Sequence, residues 1–187
     1  MKIVGIFNYG DFDAVVSARG LADVYREFRD ALFGVKVYLH PKRFFNLQGK
    51  INEALKQLLY GGSRPWGPFT PNPTLPGNRS DFRKTAEEGS PNAIGAEVQF
   101  GNIAKVSDDI QKLVWGIIYH QIDVGIIVVP DSDMADLLDS NLATYDRVVR
   151  ELLQKSFPGV QLQVIGISHD ALVGQDKMIE ERKRPTE

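Results

Sequence analysis

Asp81, Glu97 and Gln99 are the residues of this 187-residue chain whose types and spacing could do chemistry. On a strand, successive side chains point to opposite faces, so over residues 93–100 Ala96, Val98 and Phe100 share one face while Glu97 and Gln99 share the other. The chain then reads as a helix over 106–120 and a strongly apolar strand over 124–129, which sets residues 93–100 inside a sheet. A carboxylate in a sheet interior is costly unless something offsets its charge, and a divalent cation would do so. The alternative is an amphipathic strand whose Glu97 and Gln99 simply face water.

Asp81 and the pair Glu97, Gln99 flank a turn, and a hairpin would bring Asp81 near Glu97. Two carboxylates converging on a hard cation, with the Val98 carbonyl as a further oxygen, is the layout of a metal-dependent phosphodiesterase. Such a cation acidifies a bound water and neutralises charge on the phosphate. In the common form of this motif, PD-(D/E)xK, the third residue is lysine. Here it is Gln99, whose neutral amide could orient the attacking water without supplying charge. The second carboxylate has two candidates. Asp81 precedes Glu97 by sixteen positions, room for two short strands and a turn; Glu88 precedes it by nine but sits in a Gly- and Pro-containing turn. Asp81 is the preferred metal ligand and Glu88 the alternative.

The elements that must position these groups follow in order. Residues 2–8 alternate as a strand and 10–13 read as a turn. Leu21, Val24, Tyr25, Phe28 and Leu32 recur at helical steps over 20–33, with Glu27 bordering that stripe as a solvated residue or a supporting acid. A short strand is expected over 35–39, then a helix to about Tyr60 with Asn46 as its N-cap. The Gly- and Pro-rich segment 61–78 excludes helix and central strand, and its Trp66 and Phe69 predict a loop packed on the body. Residues 131–144 are polar, 145–157 read as a helix, and 160–167 as a final strand.

The whole is expected to be one α/β domain spanning 1–187, with a tail from about residue 170. No apolar run approaches the length needed to span a bilayer, and the first residues read as a strand, which favours the cytoplasm. There is no cysteine, so thiolate chemistry and disulfides are excluded. A net charge of −2 argues against a uniformly basic nucleic-acid surface but leaves room for a local cleft, for which Lys42, Arg43, Arg79, Arg83 and Lys84 are candidates. His40, His120 and His169 have no partner at triad or metal-ligand spacing and read as packed or surface residues.

The segment Glu97-Val98-Gln99-Phe100-Gly101-Asn102 resembles the E-V-Q-F segment of the BglII/BstYI-like type II restriction endonucleases, a variant of the PD-(D/E)xK superfamily with E-x-Q. Further similar segments keep the family's order: Met1-Lys2-Ile3-Val4, Val24-Tyr25-Arg26-Glu27, Asn52-Glu53-Ala54-Leu55-Lys56, Trp66, Ser80-Asp81-Phe82, Ile122-Asp123-Val124-Gly125, Tyr145-Asp146 and Val164-Ile165-Gly166-Ile167. The resemblance covers residues 1 to about 168. It implies a central mixed β-sheet flanked by helices, a homodimer, and magnesium-dependent cleavage of double-stranded DNA at palindromic sites built around GATC. On this alignment Glu97 and Gln99 fall on the active-site E-x-Q and Glu27 on the acidic position of the first helix. Asn102 falls where a base or backbone contact sits, and Ser140-Asn141 in the region of the recognition loop. Two other functions share the motif: a structure-directed repair or nicking nuclease, and a DNA-binding module of the same fold without activity.

Overall fold

A computed structural model describes residues 1–43, 46, 48–61, 64–75 and 77–174. Its centre is a six-stranded sheet in the order β1-β7-β6-β5-β4-β3. Three parallel strands form the middle: β5 (Ala93–Val98), β6 (Val124–Pro130) and β7 (Leu162–Ser168), each buried along its whole length. Burial on both faces explains why β6 reads as an apolar run without alternation. β1 (Lys2–Tyr9) adds antiparallel to β7, and β4 (Ser80–Thr85) and β3 (Gly67–Phe69) extend the other side antiparallel, making the sheet mixed.

Each face of the sheet carries its own core. Along β6, Ile126 and Val128 belong to one cluster and Ile127 and Val129 to the other. The first face is covered by α1 (Phe12–Ala18), α2 (Ala22–Gly34), α3 (Gln48–Tyr60) and α5 (Ser132–Leu138), with Phe28, Leu55, Trp66 and Phe82 fully buried between them. The second is covered by α4 (Val106–Ile118) and α6 (Tyr145–Leu153), through Ile110, Leu113, Val148 and Leu152. Because β5 and β6 are parallel, the chain must cross over between them, and α4 is that crossover. This connection sets α4 against the face on which Glu97 and Gln99 lie.

Several expectations are corrected. Residues 10–13 are less a turn than the start of α1, and the polar stretch 131–144 contains α5, whose N-cap Asp131 accepts from the Met134 amide at 2.8 Å. Asn46 is not a cap: its side chain accepts from the His40 amide at 2.7 Å and donates to the carbonyls of His40 and Leu137, tying the loop to α5. The tail begins later than residue 170, since β8 (Ala171–Leu172) pairs with β2 (Tyr38–Leu39) and Asp170 accepts from the Val37 amide at 2.7 Å. The basic run Arg182-Lys183-Arg184 lies outside the described residues. No helix among the described residues is long and apolar enough to cross a membrane.

Candidate active site

The hairpin register decides which carboxylate meets Glu97. Phe82 pairs with Ala96 and Thr85 with Ala93, so the same register sets Asp81 across from Glu97 at the open end of the β4–β5 pair. Asp81 Oδ2 accepts from the Val98 amide at 3.1 Å. Glu88 stands exposed in the turn at the opposite end of the hairpin, beside a different hollow lined by Arg64, Phe69 and Arg83. The structure therefore brings Asp81, and not Glu88, to Glu97.

Asp81, Glu97, Val98 and Gln99 line a cleft of about 340 Å³ at the carboxyl end of β5, closed by Asn52 and Lys56 of α3 and by Asp109 and Lys112 of α4. Glu97 is 3% exposed. The Ser80 hydroxyl donates to Glu97 Oε1, and Lys112 Nζ lies 3.5 Å from the same oxygen. Lys112 also binds Asp109 Oδ1 at 2.7 Å, and Asp109 Oδ2 accepts from the side-chain amide of Gln99. Gln99 Oε1 takes the Gly101 amide at 2.6 Å, and a Cβ at Gly101 would stand 2.7 Å from that oxygen and displace the Gln99 side chain. Both ends of the Gln99 amide are thus engaged within the protein. These bonds hold the strand end to α4.

Charged groups crowd the cleft: Asp81, Glu97 and Asp109 line it together with Lys56, Lys105 and Lys112. Burial, with the nearby charges of Asp81 and Asp109, pushes the Glu97 carboxyl up to about 8, against the opposing pull of Ser80 and Lys112. Burial likewise raises Asp109, partly countered by its bond to Lys112. Lys112 sits above the usual lysine range: desolvation works against its charge, but the hydrogen bond to Asp109 and the charges of Glu97, Asp109 and Asp81 outweigh it. Three carboxylates thus surround one ammonium group. No three His, Cys, Asp or Glu side chains among the described residues close into a cage for a metal ion. Asp81, Glu97 and the Val98 carbonyl nevertheless offer only hard oxygen donors, and a divalent cation would offset the charge of carboxylates crowded there, so the donor set fits magnesium or a similar ion.

Glu27 is placed elsewhere. Its carboxylate binds Lys84 Nζ at 2.6 and 2.5 Å and accepts from the Trp66 indole at 3.0 Å, on the side of β4 that carries Phe82. Lys84 is buried in that pair. Arg83 is half-buried and donates to the Gln121 carbonyl at 2.7 Å; desolvation lowers its pKa, with Asp123 opposing. Lys42, Arg43 and Arg79 are exposed, Arg43 donating to the Asp136 carbonyl at 2.7 Å. Beyond the cleft, Asn102 pairs with Leu142 in an isolated bridge and the Ile103 amide donates to the Asn141 carbonyl at 2.8 Å, so exposed Asn102, Ser140 and Asn141 stand together on one rim.

A family model described as restriction endonuclease BglII/BglIII matches residues 18–167. The chain belongs to this family. It is a type II site-specific deoxyribonuclease, and the family is generally dependent on a divalent metal. The crystal structure of free BglII shares its fold, with a TM-score of 0.61 and 17% sequence identity over 95% of this chain and 89% of that one. No curated protein matches this endonuclease in sequence.

Sequence reading missed Ser80, Asp109 and Lys112 as parts of the site. Asp109 and Lys112 are three apart on a helix whose apolar face was plain, and their spacing alone describes any surface pair. The available signal was the missing lysine of the motif, which asks for a cation from another element.

Proposed function

We propose that this endonuclease hydrolyses both strands of duplex DNA at a short palindrome built around GATC, using magnesium, and that its BstYI-like E-x-Q segment forms the reaction centre. The observation that carries this reading is the convergence of Asp81 from β4 and Glu97 from β5 on one cleft. When bound there, the cation would supply an acidified water and offset charge on the scissile phosphate. Asp81, Glu97 and the Val98 carbonyl would hold it. Ser80 and Lys112 fix the Glu97 carboxylate in place, and the Gln99–Asp109 bond locks the strand end so that these oxygens keep one arrangement.

Around that centre, exposed Lys42, Arg43, Arg79, Lys56 and Lys105 would take phosphates, and Asn102 with Ser140 and Asn141 would approach base edges. Lys84 is left out, because moving it to DNA would strand Glu27. Cutting two antiparallel strands at a palindrome calls for two identical sites related by a two-fold axis, hence a homodimer on DNA, acting in the cytoplasm.

The test is to digest plasmid DNA with and without magnesium and to sequence the ends. Discrete magnesium-dependent double-strand cuts at one palindrome are expected, and sedimentation of the complex with DNA should give two subunits per duplex. Nicks confined to lesions would assign the fold to repair. Binding without any cut would make it an inactive DNA-binding module.

A further inference from the structure

The E-x-Q segment lacks the cation that E-x-K segments carry, and a different element brings one to the same place. Lys112 rises from α4, with its Nζ 2.7 Å from Asp109 Oδ1 and 3.5 Å from Glu97 Oε1. Asp109 accepts from the Gln99 side chain as well, so the motif amide and the helix lysine end on one carboxylate. The ammonium group therefore stands beside the point that a lysine at position 99 would reach. A helix pair at i, i+3 on a free surface would be unremarkable. This one is not on a free surface: the Lys112 side chain is only 19% exposed and reaches across to the strand. An ammonium group has three donors; Asp109 takes one in a hydrogen bond and Glu97 lies in ion-pair range at 3.5 Å, so at least one donor is left. Lys112 also lines both the Glu97 cleft and the adjoining hollow formed with Asn78, Lys105 and Trp115.

We propose that Lys112 takes over the work of the missing motif lysine, fixing Glu97 and Asp109 and donating a remaining proton to a non-bridging oxygen of the scissile phosphate. The inference rests on the phosphodiesterase reading of the cleft. In the reaction the water oxygen bonds to phosphorus and one ester P–O bond breaks. The departing oxygen leaves as a hydroxyl and one proton is released to solvent. Lys112 stays protonated throughout and stabilises charge on the phosphoryl oxygens. Its location on α4 makes cleavage depend on the seating of that helix, which an in-strand lysine would not.

The experiment compares the parent with Lys112→Met, Lys112→Arg and the double variant Lys112→Met, Gln99→Lys. It measures plasmid cleavage with magnesium and, separately, manganese binding to the DNA-free protein by calorimetry. Lys112→Met should slow cleavage by about 100-fold. It should also tighten manganese binding by roughly 3- to 10-fold, because a positive charge beside the ligands is removed. Lys112→Arg should stay within about 10-fold of the parent, and the double variant should regain about 10-fold over Lys112→Met by returning the charge to the strand. Should Lys112→Met fail to fold, the double variant must fold and cut. Cleavage by Lys112→Met within about 3-fold of the parent overturns the proposal, as does a double variant that restores nothing, or manganese binding that weakens. A purely structural lysine would weaken metal binding and cleavage together. If the parent cuts no DNA, the phosphodiesterase reading falls, and the manganese measurement still decides whether Lys112 sets the charge at Glu97.

Discussion

Two acid–lysine clusters lie on opposite sides of the β4–β5 hairpin, and their difference separates scaffold from site. On one side Glu27 and Lys84 meet one to one, with two short contacts and the Trp66 indole as a third partner. That cluster is satisfied, and the ring of Trp66 packs on Phe28 with centroids 5.0 Å apart. On the other side Asp81, Glu97 and Asp109 line an open cleft with Lys112, which ion-pairs with Glu97 and Asp109, and the Glu97 carboxyl is pushed up to about 8. A one-to-one pair holds the fold together; buried acids crowded beside an open cleft mark a candidate ligand site. The same residue types thus take different roles according to how many partners the packing gives them.

The comparison can be broken at its strongest point first. Glu97→Ala and Asp81→Ala should each lower magnesium-dependent cleavage by about 1000-fold or more while DNA binding, measured by gel shift without magnesium, stays within a few-fold. Above pH 8, where the folded protein must hold the Glu97 carboxylate ionised, Glu97→Ala should also melt no lower than the parent.

The next effect is on stability against pH. The folded-state pKa of Glu97, about 8, lies above its ordinary value of 4.5, so the folded protein keeps a proton that the unfolded chain releases between those two values. Stability of the metal-free protein should therefore fall as pH rises through that window and level off above pH 8, by on the order of 4 kcal/mol if Glu97 acts alone. Thermal melts from pH 5 to 9 check this, and Glu97→Gln should flatten the curve.

The balanced cluster should respond in the opposite manner. Glu27→Ala leaves the Lys84 ammonium buried without its partner, and should cost about 1–3 kcal/mol in denaturant unfolding while cleavage per folded molecule changes less than about 3-fold. A 1000-fold loss of cleavage in a well-folded Glu27→Ala would move Glu27 into the site. The smallest effect belongs to Glu88, exposed in the turn: Glu88→Ala should melt and cleave within about 2-fold of the parent.

Local patterns carried much of this protein in the sequence. Alternation on residues 93–100 put Glu97 and Gln99 on one face, and the Gly and Pro of the turn favoured Asp81 over Glu88; the β4–β5 register agrees with both. The apolar run that became β6, the final strand that became β7, the helical periods of α2 and α4, and the order of family-like segments were equally legible, because each depends only on neighbours along the chain. α1 and α5 were missed because each is only seven residues long, too short to display a period.

What the tertiary structure alone decided is who meets whom across the sheet. The sequence showed Glu27 beside an apolar stripe, and only the packing of α2 under β4 gave it Lys84 and Trp66. It showed Gln99 without a charge, and only the crossover that lays α4 against β5 brought Asp109 and Lys112 to it. Periodicity states which face of an element is buried; it does not say which residue of another element lies opposite. That depends on crossover packing and register, fixed by both cores at once, and the position of a charge within a few ångströms follows from them.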